Sequence, residues 1–127
     1  MLDSDDLILL VEDNAVMLKL AKLRLGKFGV PVHTAHNGAE ALRKIQEHRY
    51  RLILMDVMMP EIDGLEATRR IRMWEQRMGR RTPIVALTAH ANKSECVEAG
   101  MDDFVEKPAD YDRIIFQWMP DVFKQVS

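Results

Sequence analysis

Three stretches of this chain are apolar without a break: LILLV at 7–11, LILM at 52–55 and PIVAL at 83–87. A strand with one wet face alternates apolar and polar residues, so runs this short and this continuous belong to strands covered on both faces. That requirement constrains the fold more than any other feature, because it demands a layer on each side of a sheet. Two weaker runs, VPVHTA at 30–35 and DFVE at 103–106, carry polar residues and suit the sheet edges.

A helical pattern follows each strand. Asn14 caps a helix reaching about Phe28, with Met17, Ala21, Leu25 and Phe28 on one face and Val16, Leu20 and Leu23 opposite. NGAEALRKIQEH at 37–48 brings Ala41, Leu42 and Ile45 together, and GLEATRRIRMWEQRM at 64–78 follows Asp63 as its cap. NKSECVEAG at 92–100 closes at Gly100, and ADYDRIIFQWM at 109–119 stops at Pro120. Parallel neighbours need right-handed crossovers, so five such alternations predict a doubly wound α/β domain over 1–127 with five helices. The compact flavodoxin-like order 2-1-3-4-5 suits this length.

Composition excludes several classes. Twenty acidic and eighteen basic side chains give a net charge of −2, which is no footprint for nucleic acid. The short basic group Arg77, Arg80 and Arg81 reads as a solvated loop. The single Cys96 excludes an internal disulfide and reads as a small core residue. The opening MLDSDD is acidic where a secretory signal is basic, and LILLV is too short to span a bilayer, so a cytoplasmic protein without membrane contact is expected.

In open parallel sheets, sites form beyond the carboxyl ends of the strands. Those ends carry Glu12 and Asp13, then Asp56, Thr88 and Lys107. In the proposed order the three carboxylates converge, and their mutual repulsion calls for a cation. Oxygen-only ligands suit Mg²⁺, whereas His33, His36, His48 and His90 lack a zinc spacing. Asp56 then reads as a nucleophile toward phosphorus, with Lys107 and Thr88 neutralising oxygen charge. Taken singly, each residue has a plainer role as a cap, turn or strand end. Five suitable residues at four strand ends are hard to explain as separate accidents.

The pieces LLVEDN, NGAEAL, LILMDVMMPEIDGLEATRRIR, PIVALTAHA and AGMDDFVEKP, with the distances between them, resemble the receiver domains of two-component response regulators over roughly Leu7 to Met119. The wording is most similar to receivers of hybrid histidine kinases. Receivers are themselves type examples of the 2-1-3-4-5 order, so that order carries no weight independent of the resemblance. The resemblance implies Glu12, Asp13, Asp56 and the Met58 carbonyl as Mg²⁺ ligands and Asp56 as phosphoacceptor. It also implies Thr88 and Lys107 as contacts to the phosphoryl oxygens, Phe104 as an aromatic switch with Thr88, and a cis peptide before Pro108. Met58 and His90 fall where the family tunes phosphoryl lifetime, and neither is a carboxylate, so slow hydrolysis is expected.

The implied partner is a histidine kinase or histidine phosphotransfer domain docking near Val16, Leu20 and Leu23, although those side chains could equally be packed inward. The face formed by the fourth helix, fifth strand and fifth helix would serve output or a homodimer. The chain reads as either a stand-alone regulator or a piece of a hybrid kinase. A turnover phosphatase of the aspartyl-phosphate type would need an acid at Met58, and neither GxxxxGK[ST] nor GxGxxG occurs. A silent interaction module is the third alternative.

Overall fold

The computed structural model describes residues 6–89 and 92–126. Its order is β1 (Ile8–Val11), α1 (Ala15–Gly26), β2 (Val32–Ala35), α2 (Gly38–Glu47), β3 (Leu52–Asp56), α3 (Gly64–Met78), β4 (Ile84–Thr88), α4 (Lys93–Ala99), β5 (Asp103–Glu106), α5 (Tyr111–Trp118) and α6 (Pro120–Val126). The strands form one parallel sheet in the order β2-β1-β3-β4-β5, with the polar strands at its edges.

Alternate residues of the central strands feed two cores. Leu9, Val11, Ile53, Met55, Ile84 and Ala86 meet Ala41 and Ile45 of α2, Ala67 and Ile71 of α3, and Cys96 of α4. Ile8, Leu10, Leu52, Leu54, Val85 and Leu87 face the other way, onto Leu18, Ala21 and Leu25 of α1 and Ile114 and Ile115 of α5. This is the two-sided burial that unbroken apolar runs demand.

Two sequence expectations shift. On α1 the buried stripe is Leu18, Ala21 and Leu25, while Met17 is 42% exposed. Asn14 caps as expected, accepting from the Val16 and Met17 amides, but the axis is rotated by one position so that Leu18 takes the inward place. Pro120 ends α5 and also begins a sixth helix, α6, whose Val122 is buried in the second core. A proline fits the first turn of a helix, where its missing N–H would have had no intrahelical partner.

Polar groups fasten the layers from outside. Arg72 donates to the Gly100 and Thr82 carbonyls at 2.8 Å each, to Glu75 at 2.6 Å and to Asp102 at 2.7 Å. Glu75, 2% exposed, also accepts from the Thr82 amide at 2.7 Å. The network therefore joins α3, the lead into β4 and the end of α4. At the strand-entry end, Arg51 bonds Asp6 at 2.8 Å and forks onto Asp121 of α6. The hydrogen bonds from Arg51 hold the Asp121 carboxyl down at about 2.

Glu75→Ala would leave Arg72 half-compensated and the Thr82 amide without its acceptor, at a cost of about 3 kcal/mol in urea unfolding. A loss below about 1 kcal/mol would show that the network is idle. A depressed carboxyl adds stability above its unfolded value, near 3.8, and loses it as pH falls through about 2. Arg51→Gln should therefore move the acid-unfolding midpoint upward, and an unchanged midpoint would refute the linkage.

Candidate functional site

Register decides which side chains meet. Val11 pairs with Met55, so the next residues, Glu12 and Asp56, leave the sheet side by side. Leu87 pairs with Asp56 and Thr88 with Glu106, which brings the ends of β4 and β5 to the same rim. The Lys107 amide then donates to the Thr88 carbonyl at 2.8 Å, continuing the ladder one step beyond β5. The Lys107–Pro108 peptide is cis.

Four of the five residues expected from the strand ends gather, and Thr88 ends its strand on the same rim. One carboxylate oxygen from each of Glu12, Asp13 and Asp56 lies within 4.8 Å of the others. Lys107 Nζ reaches Glu12 Oε1 at 2.9 Å and Asp56 Oδ1 at 3.1 Å. Glu12, Asp56 and Thr88 are buried, whereas Asp13 is exposed and keeps the cluster open to water. Burial would lower the Lys107 pKa, but hydrogen bonds to Glu12 and Asp56 outweigh it and hold the ammonium above its ordinary value. One ammonium does not balance three carboxylates, so the cluster stays net negative.

Local structure supports this arrangement. The Asn14 amide donates to Glu12 Oε2 at 3.1 Å, so the residue that caps α1 also orients an acid of the cluster. Asp56 Oδ1 accepts from the Met58 amide at 3.2 Å. The loop at 57–63 folds back so that the Gly64 amide donates to the Val57 carbonyl at 3.0 Å. A Cβ on Gly64 would sit 2.2 Å from the Asp56 carbonyl oxygen, so only glycine lets α3 start against this backbone.

Phe104 is half-buried against the core that contains α4. Met58 projects outward at 69% exposure, beside a cluster that holds no acid two residues after Asp56. Sequence reasoning missed Tyr111, half-buried at the first turn of α5. Its hydroxyl pKa is raised by burial and then by the Glu12 charge. An aromatic residue four positions after Lys107 gave no periodic signal of that proximity.

Among the described residues no histidine joins the cluster of Glu12, Asp13 and Asp56. His33 Nδ1 lies 2.8 Å from the Tyr50 hydroxyl, His48 sets its ring edge-on to His33, and His36 pairs with Glu40. His90 lies outside the described residues. An all-oxygen donor set with one solvent-facing carboxylate fits a hard divalent ion such as Mg²⁺ and not zinc.

Comparison with known proteins agrees with this geometry. The family model described as Response regulator receiver domain matches residues 8–117. The chain is 44% identical over 105 residues to Sensor histidine kinase GacS of Pseudomonas protegens, covering 80% of this chain and 12% of that protein. It thus spans about an eighth of that curated relative's length. Among solved structures it is similar to the receiver domain of sensor histidine kinase PA1611 from Pseudomonas aeruginosa, described with a magnesium ion coordinated in the active site cleft. That match has 40% identity and a TM-score of 0.80, covering 91% of this chain and 98% of that one. It is also similar to the Saccharomyces cerevisiae Ssk1 receiver domain, co-crystallised with the histidine phosphotransfer protein Ypd1. There the identity is 28% and the TM-score 0.83, covering 97% and 92% of the two chains.

Gly64→Ala should displace the Asp56–Val57 backbone and destabilise the protein by more than about 2 kcal/mol. Thermal unfolding and the amide shifts of Val57 and Met58 check this. A wild-type melting temperature would show that the contact is slack.

Proposed function

The chain belongs to the response regulator receiver family, and on that premise we propose that it is a phospho-accepting switch whose nucleophile is Asp56. The observation that carries the reading is the Lys107 ammonium seated against both Glu12 and Asp56, two of the three carboxylates that cluster at the strand ends.

In this reading an Asp56 carboxylate oxygen attacks the phosphorus of a phosphohistidine. The P–N bond breaks as the P–O bond forms, the imidazole nitrogen leaves with the electron pair and takes up a proton, and Asp56 becomes an acyl phosphate. Glu12, Asp13, Asp56 and the Met58 carbonyl would hold Mg²⁺, which when bound neutralises charge on the phosphoryl oxygens. Lys107 would add a second positive charge, and the Thr88 hydroxyl would contact the same oxygens. Pulling Thr88 toward the phosphate would let Phe104 turn inward, altering the face of α4, β5 and α5, through which output or a homodimer would act.

The donor is a histidine kinase or a histidine phosphotransfer domain. The Ypd1 complex of the Ssk1 receiver supports that class. Val16, Leu20 and Leu23 are 64%, 47% and 67% exposed on α1, the helix that follows Glu12 and Asp13, and they offer apolar surface for a partner helix. We read 1–127 as one receiver unit of the cytoplasm. Among the described residues no helix is long and apolar enough to cross a membrane. Met58, standing where a phosphatase would place its acid, supports a slowly hydrolysed phosphoprotein over a turnover enzyme.

Incubation with Mg²⁺ and acetyl phosphate, followed by intact mass, tests this. A stoichiometric gain of one phosphoryl group is expected, absent in Asp56→Asn and after chelation by EDTA. No gain in the wild type, or catalytic release of phosphate from many phosphomonoesters, would overturn the reading.

A further inference from the structure

Of the basic group expected to be solvated, Arg77 and Arg81 are exposed, but Arg80 is half-buried. The Arg80 guanidinium lies over the Trp74 ring, 4.6 Å from its centroid. With Arg81 it borders a cavity of about 640 Å³ at the strand-entry end of the sheet, opposite the acidic cluster. That volume falls in the range of small-molecule sites. Leu7, Ile45 and Trp74 contribute apolar lining, and the rim adds Arg49 and Arg51.

The charges on this rim are not equivalent. Arg51 is held by Asp6 and Asp121, and Arg81 by Asp102 at 2.7 Å. Among the described residues, neither Arg49 nor Arg80 has a carboxylate partner; Arg80 reaches only the Ile45 carbonyl, at 3.3 Å. Glu47, the acidic residue of the lining, is turned to Arg43 at 3.6 Å. Two guanidinium groups without a carboxylate partner therefore border the cavity, one of them, Arg80, laid over Trp74. A purely apolar ligand would leave those cations without an anion, and a bare anion would leave the apolar lining and the flat guanidinium plane on Trp74 unused.

We propose that this cavity binds a mononucleotide, with its flat base against the Arg80–Trp74 stack and its phosphate on Arg49 and Arg80. Guanidinium groups recognise phosphate through paired N–H donors, and bases stack on aromatic and guanidinium planes. The site shares no residue with the acidic cluster, so it stands whether or not Asp56 is phosphorylated.

The test uses the full chain carrying Trp118→Phe, which leaves Trp74 as the reporting indole, in EDTA so that no metal can hold phosphate at the acidic cluster. Titration with AMP should quench Trp74 and raise the melting temperature. Adenosine and inorganic phosphate should each bind at least about tenfold more weakly, as should AMP to the Arg49→Ala/Arg80→Gln variant. Arg49→Ala alone, at an exposed position that bears on no packing, should weaken AMP in the same direction, while Asp56→Asn should leave binding unchanged. No response into the millimolar range would overturn the proposal. Equal affinity for AMP and either of its halves, or binding indifferent to the arginine substitutions, would do the same.

Discussion

The Lys107 ammonium is the interaction on which the acidic end of the molecule depends. Glu12 and Asp56 are both nearly sealed from water, and buried carboxylates this close repel one another unless a cation lies between them. Lys107 meets both at hydrogen-bond distance, and it can do so because the rim of β5 is tied to that of β4 through the Thr88 carbonyl. Parallel register thus becomes electrostatics: level strand ends bring the charges together, and one side chain reaching in from beyond the edge strand β5 makes their proximity tolerable. The negative charge that remains faces solvent through Asp13, which is where a divalent ion would enter.

The sheet was legible because its message is binary. Unbroken apolar runs such as LILM cannot be half-wet strands, and the polar content of VHTA and DFVE sent those segments to the edges, where the structure has them. The site was legible for a related reason, since strand termini are the one place where a sequence position maps simply onto a place in space. Glu12, Asp13, Asp56, Thr88 and Lys107 needed only the strand order to be brought together.

What escaped prediction depends on tertiary contacts. Whether Met17 or Leu18 faces the core differs by one residue of helical rotation, and packing into the core that also holds Leu54 and Ile115 decides it rather than any local preference. Pro120 read as a stop because proline ends helices, yet it also opens them, and the burial of Val122 tips the balance toward a further helix. Arg80 read as solvent-bound because a charge run carries no hint of the Trp74 ring, six residues earlier and folded beneath it. Tyr111 and the close approach of Gly64 to Asp56 were hidden likewise, being relations between segments.

The grip of Arg51 on both Asp6 and Asp121 has a mechanical side. These residues flank the sheet in sequence yet meet at one pole, so tension applied through both would be carried by the guanidinium and α6 before it reached the central strands. The acidic pocket lies outside that load path. A tether attached near either aspartate would hang from the far side of the molecule, leaving the Asp56 mouth unshadowed.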